Sequence, residues 1–408
     1  MIERTPYEVL AHRLTTQEVD VLPILAAVRA RGDAALAEYA LAFGDPPPRR
    51  IDRDEIEAAY RASDPDLRDA LAGAAGRIER FARAQRDALA DVTIREGTLE
   101  LGHRVVPLER VGIYVPAGRH PLLSSLLMGA IPARVAGVGE RVVCTPRASR
   151  EILAAAHVAD AGVVFEVGGA QAIAALAYGT QSIPRVDLIV GPGNAHVTAA
   201  KRAVFGACGI DALAGPSEIA IVASSDASAE LVAADMLAQA EHDPDARALL
   251  ITDDRTFAHA VGTRIEAQLA RLETAATARA SLERQGGFVV LELEDAPAFC
   301  DRLAPEHLSM QGRRAQRLAS RCTAYGTLFI GEGAAEVFGD YGSGPNHVLP
   351  TGGTARFSSG LSVMNFLTLR TYERSLGNAD RRIANDAAIL AQAEGLAAHR
   401  AAALARTS

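Results

Sequence analysis

The sequence predicts an α/β fold with two parallel-sheet units, preceded by N-terminal helices and followed by a C-terminal helical tail. From about Arg104 onward, short β-branched runs alternate with longer helical segments, which is typical of βαβ units and a parallel sheet. A second alternating region begins after Ser217, so we expect two such units rather than one. With 408 residues, 49% of them hydrophobic, the chain has apolar material for roughly two or three domains of ~150 residues.

The first 113 residues are predicted to be mainly helical. Apolar side chains recur there at roughly helical spacing, and Gly and Pro residues at 32 and 46–48 interrupt the pattern. The recurring residues are Leu25, Val28, Leu36, Tyr39 and Phe43. We assign residues 1–113 to an N-terminal helical part that joins the second α/β unit.

Two α/β units and a tail make up the rest of the chain. The first unit spans residues 114–217 and the second spans residues 218–361. In the second unit we expect strands at 218–222, 249–252 and 289–293, with helices at about 229–241 and 257–272. Residues 362–408 form the tail, whose Ala-rich part from about 380 to 407 predicts a long helix of the kind that often docks on a partner subunit.

Composition and charge argue against several classes of function. The formal net charge of −8 disfavours nonspecific nucleic-acid binding, which needs a basic surface to neutralise phosphates. No run approaches the ~18 apolar residues of a membrane span, and the first residues do not resemble a signal peptide, so we expect a cytoplasmic protein. Four widely spaced cysteines form no Cys-x-x-Cys pair, which argues against a disulfide framework or a thiolate metal site.

The run from residue 237 to 244, Leu-Ala-Gln-Ala-Glu-His-Asp-Pro, sets two metal-capable side chains one helical turn apart. Residues three apart on a helix are neighbours, so Gln239 and His242 share a face. Pro244 disfavours helical geometry at Asp243, which leaves the pair at a helix end where other loops can complete a site. Taken alone, the run also fits an ordinary polar helix face.

Later segments add carboxyl and imidazole groups in three short clusters, namely Glu306 with His307, Asp340 with His347, and Glu394 with His399. An adjacent Glu and His suit proton transfer, because imidazole titrates near neutral pH. A surface turn is the plain alternative for Pro-Glu-His. Likewise, a lone His can be a satisfied core residue, and a Glu on an Ala-rich helix usually faces solvent.

The chain has no Gly-x-Gly-x-x-Gly motif after a strand, as a dinucleotide site would ordinarily show. The nearest feature is Gly191-Pro-Gly193-Asn194, between an apolar strand and a helix predicted at 196–205. Free backbone N–H groups at such a helix start can face a pyrophosphate. A tight strand-to-helix turn without a ligand is the alternative.

Seven blocks in this order resemble the histidinol dehydrogenase family, from about Ala27 to the C-terminal helix. The blocks are Val-Gly-Ile-Tyr114-Val-Pro, Gly-Gly-Ala-Gln171, Gly191-Pro-Gly-Asn194, Gly215-Pro-Ser217-Glu, Gln239-Ala-Glu-His242, Pro-Glu306-His307-Leu and Gly-Asp340-Tyr. No single block is decisive, but seven in the family's order are strongly specific. The resemblance implies two incomplete Rossmann-like parallel-sheet units in an enzyme that uses zinc and two NAD to oxidise L-histidinol through its aldehyde to L-histidine.

The resemblance also implies roles for the matched residues. His307 would be the base in both oxidations, and Glu306 would activate water for attack on the aldehyde. Two oxygen and two imidazole donors would bind one zinc ion per subunit, a set that manganese or cobalt also fits: Gln239, His242, Asp340 and His399. The substrate would contact those ligands together with Ser217, His307, Glu336, His347 and Glu394. NAD would contact Tyr114, Gln171 and Asn194, and a homodimer would share its active sites through the swapped tail.

One departure from the family lies just after Tyr-Val-Pro, where two glycines are usual and this chain has Ala117-Gly118-Arg119. A Cβ at Ala117 disfavours positive φ, so we expect the cofactor loop to differ in detail. The guanidinium of Arg119 suits an anionic substrate, which makes a related dehydrogenase of dihydroxypropane sulfonate the main alternative. A catalytically silent zinc-binding or assembly protein is the alternative from another class. A thiohemiacetal at Cys144 is a minor alternative to a buried core thiol.

Overall fold

Two parallel sheets form the body of the protein, as the predicted α/β class requires. The computed structural model describes residues 1–12, 14, 19–116 and 122–406. In chain order its strands are β1 (Arg49–Ile51), β2 (Val92–Glu96), β3 (Leu99–Pro107), β4 (Arg110–Tyr114), β5 (Glu140–Thr145), β6 (Val163–Glu166), β7 (Leu188–Val190), β8 (Gly209–Ile210), β9 (Glu218–Ala223), β10 (Arg247–Thr252), β11 (Gly287–Val290), β12 (His307–Gln311), β13 (Thr327–Ile330) and β14 (Leu367–Ser375).

The α-helices of the described ranges lie mostly between these strands. They are α1 (Pro6–Ala11), α2 (Leu22–Arg31), α3 (Asp33–Phe43), α4 (Arg53–Ala62), α5 (Pro65–Asp87), α6 (Leu123–Ala136), α7 (Arg150–Ala159), α8 (Gly169–Tyr178), α9 (Ala195–Val204), α10 (Ala229–Ala240), α11 (Arg255–Leu269), α12 (Ala275–Arg284), α13 (Ala296–Leu303), α14 (Arg313–Leu318), α15 (Glu336–Asp340), α16 (Arg381–Ala393) and α17 (Ala397–Leu404). Across these ranges, no helix is both long enough and apolar enough to cross a bilayer.

Each parallel sheet has the strand order of a five-stranded Rossmann-like unit. The first sheet is ordered β1-β6-β5-β4-β7-β8, in which β1 pairs antiparallel with β6 at one edge. The second sheet is ordered β11-β10-β9-β12-β13, with every pairing parallel. In both, the first and fourth strands of the parallel series are neighbours. The prediction of two incomplete Rossmann-like units is therefore confirmed, and each sheet has a topological switch point.

The central strands β9 and β10 of the second sheet are buried along their length because helices cover both faces. Every residue of β9 and of β10 is buried, which is the pattern of central parallel strands rather than of half-exposed ones. Ser228 starts α10, and its side chain accepts a hydrogen bond from the backbone N–H of Leu231. The opposite end of α10 lies in the same region as the amino ends of β9 and β12.

The N-terminal helices pack differently from the expectation that residues 1–113 join the second unit. Helix α1 does pack against α13, and Glu3 pairs with Phe288 beside the second sheet. Helices α4 and α5 instead pack on α7 and α6, and α2 packs on α8, all beside the first sheet. The physical reason is the apolar face of these helices, which enters the first unit's cores through Leu25 and Ile78. The four domain limits remain a prediction.

A third sheet, ordered β14-β3-β2, was not predicted from the sequence. Strand β14 pairs antiparallel with β3 from Leu367 to Ser375, so the tail contributes a strand before its helices. All of β2 is exposed, and β3 is at most half-buried, so neither strand has the buried apolar run that predicts the strands of the parallel sheets. The long helix predicted from about 380 is also divided, because Gly395 adopts a φ of 75° between α16 and α17.

Candidate active site

The candidate catalytic residues lie at the amino ends of β9 and β12. These strands are hydrogen-bonded neighbours, and His307, the first residue of β12, pairs in register with Ile219. Ser217 immediately precedes β9, and Glu306 immediately precedes β12. Two blocks that are far apart in sequence are thus brought side by side by the sheet.

Glu306 is held by two hydrogen bonds from the start of β9. Its Oε2 accepts from the hydroxyl of Ser217 at 2.5 Å and from the backbone N–H of Glu218 at 3.0 Å. Burial nevertheless raises the pKa of Glu306 to about 8, and the Ser217 hydrogen bond opposes that rise. Ser217, predicted to contact substrate, therefore has a second role here as a donor to Glu306.

His307 is almost fully buried, with a relative exposure of 3%. Its Nδ1 lies 3.2 Å from Oε1 of Gln239 and 3.5 Å from Oε1 of Glu336. Burial lowers the pKa of His307 to about 4, because the charged imidazolium is poorly solvated there. The imidazole is therefore neutral near pH 7 and able to accept a proton.

His242 lies just beyond the end of α10 rather than within the helix. The helix stops at Ala240, and the Nδ1 of His242 contacts the carbonyl oxygen of Ala238 at 2.9 Å. This contact fixes Nδ1 as the donor and leaves Nε2 as the basic nitrogen. Nε2 lies 3.7 Å from Oδ2 of Asp340, so two of the predicted metal ligands face each other.

A cluster of groups able to bind a cation surrounds Asp340. Ligand atoms of His307, Glu336 and Asp340 all lie within 4.8 Å of one another. Glu336 has a relative exposure of 2%, and neither of its oxygens accepts a hydrogen bond from the described part of the chain. Burial, followed by the charge of Asp340, raises the pKa of Glu336 well above its usual range. The side-chain N–H groups of Gln239 are likewise buried without an acceptor among the described residues.

This donor set fits a divalent cation. Buried carboxylate oxygens without hydrogen-bond donors are costly, and a cation beside Asp340 would compensate those of Glu336, which have no donor among the described residues. The imidazole and oxygen donors are also those that zinc accepts in catalytic sites. The cluster shares Asp340 with the predicted ligand set, but its other members are His307 and Glu336, which are predicted for catalysis and substrate binding, and it does not include His242 or His399.

His347 is held on both ring nitrogens by the protein. Nδ1 contacts the backbone oxygen of Asp340 at 2.8 Å, and Nε2 contacts the hydroxyl of Ser125 at 3.1 Å. Burial lowers the pKa of His347. The ring therefore braces Asp340, and a direct contact with substrate would have to replace the one with Ser125, a residue that no sequence pattern singles out.

Glu394 and His399 do not reach the cluster within one chain. Both are exposed: Glu394 directly follows α16, and His399 lies on α17, which packs against α16. Within the described ranges no hydrogen bond or ion pair links His399 to Asp340, Gln239 or His242. Because Gly395 divides the tail, Glu394 and His399 also do not share one straight helix.

The predicted cofactor residues lie at the carboxyl ends of strands β4 and β7 and the starts of α8 and α9. The hydroxyl of Tyr114 accepts a hydrogen bond from the backbone N–H of Gly169 at 3.0 Å, and burial raises its pKa to about 12. Gln171 is buried, and its Oε1 accepts no hydrogen bond from the described residues. Asn194 caps α9 by accepting from the N–H of Val197 at 3.1 Å. The Ala117–Arg119 departure lies outside the described residues.

A buried pair behind Glu306 was missed from the sequence. Glu218 and Arg247 are both almost fully buried and lie 3.8 Å apart, and Oε1 of Glu218 accepts from the N–H of Gly352 at 2.9 Å. Glu218 was visible as the last residue of the Gly-Pro-Ser-Glu block. Its partner was not, because Arg247 is brought beside it only by the pairing of β9 with β10.

Cys144 has no access to the site. It lies within β5, is fully buried, and packs in an apolar core. Burial raises the pKa of its thiol, which disfavours the nucleophilic thiolate. The thiohemiacetal alternative therefore does not fit.

Comparison with known proteins shows the family and the fold. A family model described as histidinol dehydrogenase matches residues 11–407. Histidinol dehydrogenase from Thermus thermophilus is 47% identical over 386 residues, which are 94% of this chain and 93% of the relative. That from Geobacter sulfurreducens is 44% identical over 397 residues, with coverage of 94% and 92%. A crystal structure of histidinol dehydrogenase from Elizabethkingia anophelis superposes with a TM-score of 0.91 at 32% identity, covering 98% of this chain and 95% of that one. The chain belongs to the histidinol dehydrogenase family.

Proposed function

We propose that this histidinol dehydrogenase uses zinc and two NAD per turnover to convert L-histidinol through L-histidinaldehyde to L-histidine. The observation that carries the proposal is the meeting of Glu306 and His307 with the Asp340 cluster at the amino ends of β9 and β12. A base, a carboxylate held by two donors and a cation-binding cluster are the groups that two successive oxidations require.

His307 is proposed as the base at each oxidation. In the first, it accepts the proton of the substrate hydroxyl while hydride leaves the adjacent carbon for NAD, giving the aldehyde and NADH. After releasing the first proton to solvent, it accepts a hydroxyl proton of the aldehyde hydrate in the second oxidation while hydride leaves for a second NAD, giving the carboxylic acid. Its low pKa keeps the imidazole neutral, and the contact with Gln239 orients the ring.

Glu306 is proposed to act between the oxidations, by removing a proton from the water that adds to the aldehyde. A carboxylate is needed for that step, and the donors from Ser217 and Glu218 favour the carboxylate over the acid. When bound beside Asp340, zinc would hold the imidazole and amino nitrogens of the substrate and favour the charged forms of neighbouring carboxyl groups. The proposed ligands are Gln239, His242, Asp340 and His399.

NAD is proposed to bind at the carboxyl edge of the first sheet. Tyr114 ends β4, while Asn194 follows β7, and these two strands flank the switch point where ligands of such folds bind. Oε1 of Gln171, which accepts no hydrogen bond from the described residues, offers an acceptor in the same unit. Hydride transfer requires this edge to face Glu306 and His307, and that arrangement is part of the proposal.

A homodimer with shared sites is proposed because two of the assigned residues, Glu394 and His399, lie away from their own chain's cluster. The tail helices also expose Ile389, Leu390 and Leu396, apolar residues that a partner subunit would cover. Mixed dimers of Asp340→Asn and His399→Asn test this. If His399 acts in trans, one site of each mixed dimer carries neither lesion and activity returns. Persistent inactivity in verified mixed dimers would show that His399 acts within its own chain.

The substrate assignment is tested by supplying NAD with either L-histidinol or dihydroxypropane sulfonate and following NADH. We expect NADH only with histidinol, since the family relatives are histidinol dehydrogenases. Preference for the sulfonated diol would overturn the assignment. No NADH with either substrate, in protein shown to contain zinc, would favour a silent binding protein. A cytoplasmic location remains a prediction.

A further inference from the structure

Two buried charged residues, Lys201 and Asp211, form hydrogen bonds with the turn that follows β7, and we call this pair the clamp. The N–H of Gly191 donates to Oδ2 of Asp211 at 2.7 Å, and the carbonyl oxygen of Gly191 accepts from Nζ of Lys201 at 2.9 Å. Lys201 and Asp211 also form an ion pair with each other. Both polar groups of one glycine are therefore held by a single charge pair.

The pair is unusually well buried for a lysine and an aspartate. The side chain of Lys201 is 4% exposed and that of Asp211 is 2% exposed. Oδ1 of Asp211 accepts a further hydrogen bond from the N–H of Ala212 at 2.7 Å. Burying two charges carries a large desolvation penalty, so a pair of this kind is weak evidence for stability and better suited to fixing one geometry. The geometry that it fixes is that of Gly191.

Gly191 stands between two of the proposed NAD contacts. Its φ is 117°, and a Cβ at this position would lie 2.1 Å from the backbone oxygen of Tyr114. Three residues later, Asn194 caps α9, and Lys201 projects back from that same helix. The pair thus connects the end of β7 with the second half of α9 and with the segment that leads from β8 toward Ser217.

We propose that Lys201 and Asp211 are positioning residues that hold the Gly191–Asn194 turn in the shape that binds the dinucleotide. Neither needs to touch the cofactor, because both act through the peptide groups of Gly191. The inference rests on the proposed NAD site. It predicts a larger effect on cofactor binding than on substrate or metal binding, since Gln239, His242 and Asp340 lie beside the second sheet.

The test compares Lys201→Met with Arg202→Met in the full-length, metal-loaded enzyme. Arg202 is the next residue of α9 and is exposed, so its substitution removes a charge without touching the clamp. The dissociation constant for NADH is measured by nicotinamide fluorescence, well below the melting temperature of each variant. The KM values for NAD and histidinol and the zinc content are measured on the same samples.

For Lys201→Met we expect the NADH dissociation constant and the KM for NAD to rise by about tenfold or more. Asp211 then carries a buried charge without its lysine partner, and the carbonyl oxygen of Gly191 loses the hydrogen bond from Lys201. The KM for histidinol and the zinc content should stay within about twofold, and Arg202→Met should match the wild type. Asp211→Asn is the second variant, for use if Lys201→Met does not fold. It keeps the shape of the side chain and should also weaken NADH binding.

Folded variants of both residues that bind NADH as the wild type does, with only a lower melting temperature, would overturn the positioning role. That outcome is distinct from failure of the proposed function. If the wild type itself does not bind NADH, the cofactor assignment fails before any variant is compared, and the clamp then has no ligand to position.

Discussion

The hydroxyl of Ser217 is the contact whose removal most sharply separates the roles within the site. It supplies the shorter of the two hydrogen bonds to Glu306, at 2.5 Å against 3.0 Å for the N–H of Glu218. Ser217→Ala removes that donor and leaves the backbone one. A hydrogen bond to a charged group contributes ~1.5–3 kcal/mol, and its loss makes the carboxylate harder to form in a buried site.

This energy converts to a rate effect of roughly 10- to 150-fold on the step that needs the Glu306 carboxylate. If Glu306 acts only on water, the effect falls on oxidation of the aldehyde. Oxidation of histidinol to the aldehyde, which uses His307, should change by no more than about threefold. The two steps are measured separately by starting from histidinaldehyde or from histidinol and following NADH in the first turnover.

Ser224→Ala is the matched control, because Ser224 follows the opposite end of β9 and its hydroxyl donates to Asp226 at 2.6 Å. It should leave both steps unchanged. A Ser217→Ala enzyme with a raised KM for histidinol and an unchanged aldehyde step would refute the reasoning. That result would show that the hydroxyl serves the substrate and that its contact with Glu306 is incidental.

Three further predictions follow from the site. A strong chelator should abolish histidinol oxidation, and added zinc or manganese should restore it. Elemental analysis should show a lower metal content in His242→Asn, whereas His307→Asn should keep the metal and lose rate. Full activity without metal would contradict the ligand assignment. In metal-free protein the raised pKa of Glu306, about 8, gives a contribution to stability that is complete below about pH 4.5 and is lost as pH rises through 8. Thermal denaturation should therefore show that Glu306→Gln loses less stability than the wild type across that window, and equal losses would argue against an uncompensated carboxyl. Cys144→Ala should retain a near-normal kcat, because the thiol is buried in the core of the first unit, and a large loss of kcat in folded protein would revive the thiohemiacetal route.

The sequence predicts those features that depend on local pattern. Apolar runs predicted β9 and β10 and overlapped β11, and Pro244 correctly indicated that the helix before His242 ends nearby. Strands β12 and β13 were not predicted, so the pattern did not show that His307 begins a strand. The exposed three-stranded sheet escaped because its strands lack a buried face, and the tail was predicted as one helix because a single Gly395 is a weak signal within an Ala-rich run.

Contacts between distant segments were beyond the reach of sequence pattern. The hydrogen bond from Ser217 to Glu306 forms only because β9 and β12 are neighbours, and nothing local to either residue encodes that pairing. The same holds for the clamp of Lys201 and Asp211, whose lysine looks from sequence like any charged residue on a helix. His399 was assigned from resemblance, and its exposed position accords with a site completed by a second subunit, which the mixed dimers test.

The most direct measurement is the number of NADH molecules formed for each L-histidinol consumed by the wild-type enzyme, with the product identified by chromatography. Two successive oxidations at one site predict two NADH and one L-histidine, with no aldehyde released to a trapping reagent. One NADH with accumulation of the free aldehyde would contradict the assignment of both oxidations, and with it the proposed work of Glu306 between them.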